Sequence, residues 1–81
     1  MPDIKSQIHD IASEAARVHG VTVAQIMGRA RSKPIAMARN QVYWTAWRDL
    51  GISQTEIGRL MGRHWTTVKH GCNMHGDTDA P

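Results

Sequence analysis

Apolar residues recur along this chain at helical rather than strand spacing, in stretches punctuated by glycine, proline and serine. Ile4, Ile8, Ile11, Ala15 and Val18 follow one another at steps of 4, 3, 4 and 3, so a helix over residues 3–19 gains one apolar face. Asp3 or Ser6 suits its cap and Gly20 its stop. Thr22 then caps a short second helix whose buried side is Val23, Ile26 and Met27, with Gly28 at its end. Val21-Thr22-Val23 has strand-forming residues, but no other stretch alternates to pair with it. Residues 35–50 read as a longer helix with a wide stripe of Ile35, Ala38, Val42, Tyr43, Ala46, Trp47 and Leu50. That is the pattern of a central helix packed on more than one side. Pro34 fits its first position, where a missing N–H costs nothing.

From Ile52 to His70 the pattern tightens into two short helices and a turn. Ser53 and Glu56 make a capping-box start, Ile57, Leu60 and Met61 an apolar face, and Gly62 the turn. Met61, Val68 and Cys72 then share one helical side with Trp65 at its flank. Arg63, Thr66, Thr67, Lys69 and His70 occupy the opposite, donor-rich side. Gly58, four positions before Gly62, leaves room for a close helix crossing. This is the layout of a DNA-binding helix-turn-helix. After His70 the pattern dissolves, which predicts fraying near Asn73–His75. Residues 1–75 are expected to form one domain and residues 76–81 a disordered tail.

Charge strengthens that picture. The net charge is only +3, yet eight of the ten Lys and Arg residues lie between Arg29 and Lys69, beside just two acids, Asp49 and Glu56. Positive charge gathered on the segment that holds the helix-turn-helix suits a phosphate backbone. Arg29-Ala30-Arg31-Ser32-Lys33-Pro34 reads as a basic loop, and arginine on a short arm suits the negative potential of a narrow minor groove. With no Phe, the core is expected to be aliphatic, closed on one side by Tyr43, Trp44 and Trp47. No apolar run reaches a membrane span, and Met-Pro-Asp-Ile-Lys lacks the form of a signal peptide. One cysteine makes no internal disulfide, so a reducing cytoplasm, with the nucleoid, is the expected place.

Three pieces in order carry a family resemblance: GRARSKPIAMARNQ at Gly28–Gln41, SQTEIGRLMGR at Ser53–Arg63 and TTVKH at Thr66–His70. With them the chain resembles, over roughly residues 4–72, the C-terminal DNA-binding domain of the bacterial replication initiator DnaA. The resemblance implies an all-α fold, a compact helical domain of the DnaA C-terminal, Trp-repressor-like kind. Its recognition helix enters the major groove of double-stranded DNA and its basic loop the adjacent minor groove. Arg31 falls on the family's minor-groove arginine. Arg39 matches the arginine that starts the central helix and supports backbone and base contacts. Thr66 and Thr67 match threonines that meet bases and phosphates. Arg29, Lys33, Arg63, Lys69 and His70 complete the cationic and donor set. His64-Trp65 stands where the family carries Asp-His. Aspartate accepts from a cytosine amino group, which histidine does not do in the same way; Trp65 either meets a thymine methyl or packs beside Val68.

No Gly-x-x-x-x-Gly-Lys-Ser/Thr loop is present, so no nucleotide-hydrolysing module and no cofactor is expected. The expected role is regulation of transcription or replication by occupying duplex sites, as a monomer by default, with replication or transcription proteins as further partners. A nucleophile–base pair from Cys72 with His70 or His75 would sit in a fraying helix end, so no enzyme is expected. Zinc on His70, Cys72 and His75 lacks the paired spacing of structural sites, and no metal is expected. The main alternative is a protein-interaction adaptor that reuses the helical fold, with Trp44, Trp47 or Trp65 as anchors.

Overall fold

The computed structural model describes residues 3–79, and its elements are all helices. They are α1 (Ile4–His19), α2 (Val23–Met27), α3 (Lys33–Arg48), α4 (Gln54–Met61) and α5 (Trp65–Asp79). Local chemistry sets most of the boundaries. Asp3 accepts the Ser6 N–H at 2.7 Å, and Thr22 and Gln25 complete a reciprocal capping box at 3.0 Å in both directions. Ser53 accepts the Glu56 N–H at 3.1 Å, but the expected reciprocal half is replaced: the Glu56 carboxylate bonds Arg59 instead. Gly20 and Gly62 end α1 and α4 in the left-handed conformation. The central helix begins two residues earlier than expected, which places Lys33 in its first turn and Pro34 just inside.

Helix α3 lies at the centre, packed against each of the other four. Where it packs with α1, small residues are prominent in the core: Ala12, Ala15 and Ala16 of α1 and Ala38 and Ala46 of α3 are buried together with Ile8 and Val42. This corrects the apolar stripe expected for α1. Ile4 and Val18 are exposed, while Ala12, Ala15 and Ala16 supply the buried side of α1 together with Ile8. Met27, Trp47 and Leu50, all expected to be buried, are exposed as well. The aromatic residues do not form one cluster. Tyr43 is deep in the core and Trp44 half-buried against the His75 ring at 5.1 Å, while Trp47 and Trp65 stand at 45% and 44% exposure.

Two glycines permit the packing of the helix-turn-helix. A Cβ on Gly58 would come within 2.5 Å of the Arg63 carbonyl oxygen, so α4 presses directly on the turn backbone at the start of α5. A Cβ on Gly71 would lie 2.5 Å from Tyr43 Cδ2 and 2.7 Å from Asn40 Oδ1, so α5 crosses α3 with nothing between its backbone and the tyrosine ring. The expected end of the last helix near Asn73–His75 is therefore overrun. Buried Cys72 and the Trp44–His75 contact continue the docked face, and the helix runs to Asp79. Of the expected tail, residues 80 and 81 lie outside the described residues.

Candidate nucleic-acid interface

The basic loop, the first half of α3, the turn after α4 and the first turn of α5 converge on an open hollow of about 480 Å³. Arg29 and Arg31 form its loop wall. Arg39, Asn40 and Tyr43 of α3 make the floor, and Gly62, Arg63, His64 and Thr67 the opposite wall. No carboxylate among the described residues lines it. The first turn of α5 also brings the positive end of the helix dipole to this side, with the Thr66 and Thr67 N–H groups bonded to His64.

One carbonyl ties the walls together. Helix α2 is only five residues long, and its Gly28 C-cap is extended rather than left-handed, so its last carbonyls need outside donors. Arg39 supplies them: Nε donates to the Ile26 carbonyl at 2.8 Å, and Nη2 to those of Gln25 at 2.9 Å and Gly28 at 3.0 Å. Arg63, 35 positions beyond Gly28, donates to that same carbonyl through Nη2 and to the Gly62 carbonyl through Nη1 at 3.3 Å. The root of the loop is thus clipped to both the central helix and the turn. Partial burial lowers the Arg39 guanidinium from its ordinary pKa, and the Arg63 charge acts in the same direction. It remains cationic throughout the physiological range.

The first residues of α5 show a second local device. The Thr66 N–H donates to His64 Nδ1 at 3.2 Å, and Thr66 Oγ1 lies 2.7 Å from the same nitrogen. A backbone N–H only donates, so Nδ1 accepts, and the neutral ring carries its proton on Nε2. His64 therefore caps α5 with one edge and offers a donor with the other, on an exposed side chain.

The predicted residues accordingly fall into three groups. Arg29, Arg31, Arg39, Arg63, His64 and Thr67 are brought together around the hollow. Thr66 adjoins it through His64. Lys33, Trp65, Lys69 and His70 are exposed but are not on its walls, with the Lys69 ammonium 6.0 Å from the Trp65 ring centre. Asn40 and Tyr43 also line the hollow without having been expected there; helical spacing marks Tyr43 as core, and it is buried with its hydroxyl closed off from solvent. His70, Cys72 and His75 do not converge; among the described residues no three metal-ligating side chains do.

The whole hollow falls within residues 8–74, the span that matches the family model of the bacterial DnaA protein helix-turn-helix. The chain is also similar to the chromosomal replication initiator protein DnaA of Herpetosiphon aurantiacus, 37% identical over 69 residues. That alignment covers 84% of this chain and 15% of the relative. No solved structure matches the chain.

Proposed function

We propose that this chain, which belongs to the bacterial DnaA helix-turn-helix family, binds double-stranded DNA across two adjacent grooves. Helix α5 lies in the major groove, and the basic loop carrying Arg29 and Arg31, with Lys33 at the start of α3, lies in the minor groove. The observation that carries this reading is the carboxylate-free hollow, walled on one side by loop arginines and on the other by the turn and α5. Clipping both walls to the Gly28 carbonyl fixes the distance between the two reading elements before DNA arrives, which lowers the ordering cost of binding. Arg39 and Arg63 are positioning residues in this scheme. Arg29, Arg31, Lys33 and Lys69 meet the strands, and His64, Trp65, Thr66, Thr67 and His70 face base edges or phosphates.

His64 gives the reading its direction. With Nδ1 engaged in the helix cap, Nε2–H is presented as a donor, and major-groove acceptors such as guanine O6 and N7 or thymine O4 answer a donor. The role that follows is occupancy of duplex sites in replication initiation or its regulation, by a monomer on an asymmetric site within the nucleoid. Selection from random duplexes tests both levels. An enriched motif with guanine or thymine opposite α5 and an A·T-rich flank is expected. Affinity for the selected duplex should fall with salt at a log–log slope of roughly −4 to −5 if five or six cations meet phosphate. No enrichment, or affinity no greater than for an unrelated acidic polymer, sinks the reading.

A second reading, a protein-binding adaptor, is favoured by one feature. Exposed Val18, Met37 and Met74 border a smaller apolar recess of about 220 Å³. Association with a protein partner that survives high salt while duplex binding is absent would favour it.

A further inference from the structure

Two contacts at the start of α5 fix the direction in which an exposed hydroxyl points its proton. The Thr66 N–H donates to His64 Nδ1 at 3.2 Å, and Thr66 Oγ1 lies 2.7 Å from the same nitrogen. The amide has only a proton to give, so Nδ1 meets it with its lone pair. A nitrogen that accepts carries no hydrogen, yet the close contact with Oγ1 needs one. The Thr66 hydroxyl must supply it. Its single proton is thereby committed inward to the imidazole, and the outer side of Oγ1 keeps lone pairs alone. A free threonine hydroxyl donates or accepts as its surroundings require, whereas this one only accepts.

That polarity decides which groups of a duplex Thr66 can meet. Phosphate oxygens carry no proton, so a hydroxyl that only accepts gains nothing from the backbone. Guanine N7 and O6 and thymine O4 are acceptors too, and they are refused for the same reason. The proton-bearing groups in the major groove are the exocyclic amino groups, N6 of adenine and N4 of cytosine. Both Thr66 and His64 are exposed. Their neighbours Arg63, Trp65 and Lys69 offer donors only, and α5 has no acid in its first turn. An amino group facing this stretch finds its acceptor in Thr66. We propose that Thr66 is a specificity-determining residue that accepts a hydrogen bond from one such amino group, and that His64 is the positioning residue that holds the hydroxyl proton away. The pair then presents an acceptor at Oγ1 and a donor at Nε2, which read opposite kinds of base edge. The proposal rests on the duplex-binding reading above. It goes further in giving Thr66 one class of partner and in excluding phosphate.

The imidazole is tested first, because it needs no DNA. In the free protein above neutral pH, NMR of the His64 ring nitrogens should show the proton on Nε2 and a lone pair on Nδ1. A duplex recovered by random selection is then altered one base at a time, adenine to purine or cytosine to pyrimidinone, each lacking only its amino group. At one position under α5 this should weaken wild type about fivefold, the usual scale for one neutral hydrogen bond. Thr66→Val keeps the branched shape and the amide, and should melt with wild type. It should bind the intact duplex about fivefold more weakly and lose nothing further when that amino group is removed. Thr66→Ser, which keeps the hydroxyl, should bind as wild type does. Neutralising each linkage as a methylphosphonate should weaken wild type and Thr66→Val by equal factors. His64→Phe keeps a ring but frees the hydroxyl proton, so repeated selection should admit thymine or guanine at the amino position. A proton on Nδ1 overturns the proposal while duplex binding stands. So does a Thr66→Val protein that binds like wild type, or whose loss is coupled to a linkage or to no amino group. An amino preference that survives His64→Phe overturns it as well. If wild type enriches no duplex at all, the reading and the proposal fall together.

Discussion

On the α3 and turn side of the hollow, Arg39 and Arg63 reach back into the protein and cover the carbonyl end of α2. On the loop side, Arg29 and Arg31 are exposed and make no hydrogen bond or ion pair among the described residues. The side chains are chemically identical and line one cavity. What separates them is the unmet demand within reach. A five-residue helix without a left-handed cap leaves carbonyls that must be paired, and Arg39 projects from the neighbouring helix straight onto them. The loop arginines meet no such demand and stay available to an outside partner. Charge along a sequence marks the binding face; carbonyl demand decides which cations on that face are free to bind.

Breaking the anchored wall gives the largest effect. Gly58→Ala puts a methyl 2.5 Å from the Arg63 carbonyl oxygen, and the atom in the way is backbone, unable to rotate aside. The turn carrying Arg63 must move, and overpacking of this kind costs about 2 kcal/mol. For a chain of this size the melting temperature should drop by roughly 10 °C. A melting temperature within a degree or two of wild type would show that the turn is not pinned as described.

Arg39→Ala comes next. It leaves the carbonyls of Gln25 and Ile26 without their donor, and that of Gly28 with Arg63 alone. A loss of about 1.5–2 kcal/mol in chemical denaturation is expected. Arg39→Lys should recover little of it, since one ammonium does not reproduce the planar fork that spans three acceptors. Arg31→Ala sets the opposite pole of the comparison. Stability should change by less than about 0.5 kcal/mol, while duplex affinity weakens about tenfold and preference for an A·T-rich flank relaxes. An Arg31 variant that unfolds early, or an Arg39 variant that melts normally, would erase the distinction between the walls.

Much of this architecture is legible in the sequence, for local reasons. Asp3, Thr22 and Ser53 are caps because their side-chain oxygens reach a backbone N–H three residues on. The helix-turn-helix, with Gly62 as its hinge and Val68 and Cys72 inward, follows from periodicity alone. The cationic face follows from charge distribution and from the resemblance. What was hidden depends on residues far apart in the chain. Nothing in a local window marks Gly71 as a packing position; its reason is the Tyr43 ring on another helix. The joint hold of Arg39 and Arg63 on Gly28 spans separations of 11 and 35 residues, and no spacing rule announces it. Ile4 and Val18 were placed inside because periodicity counts size, whereas the buried side of α1 is Ile8 with Ala12, Ala15 and Ala16.

The smallest expected effect sharpens what anchoring means. Arg17 is also engaged, in a two-point ion pair with Glu14 one turn earlier on α1, but both side chains are mostly exposed, at 73% and 57%. The hydrogen bond and charge of Arg17 hold the Glu14 carboxyl below its ordinary pKa. A depressed carboxylate pKa means that the pair's contribution is present above the unfolded-state value and is lost as pH falls through the folded one. Arg17→Ala should therefore return the Glu14 titration midpoint, followed by NMR, to the ordinary carboxylate range. It should also leave the thermal midpoint at neutral pH unchanged, because water solvates both partners equally well. If Arg17→Ala instead destabilised the fold as Arg39→Ala does, engagement by hydrogen bond alone would be enough to make an arginine structural. The contrast between the two walls would then need another cause than the uncapped carbonyls of α2.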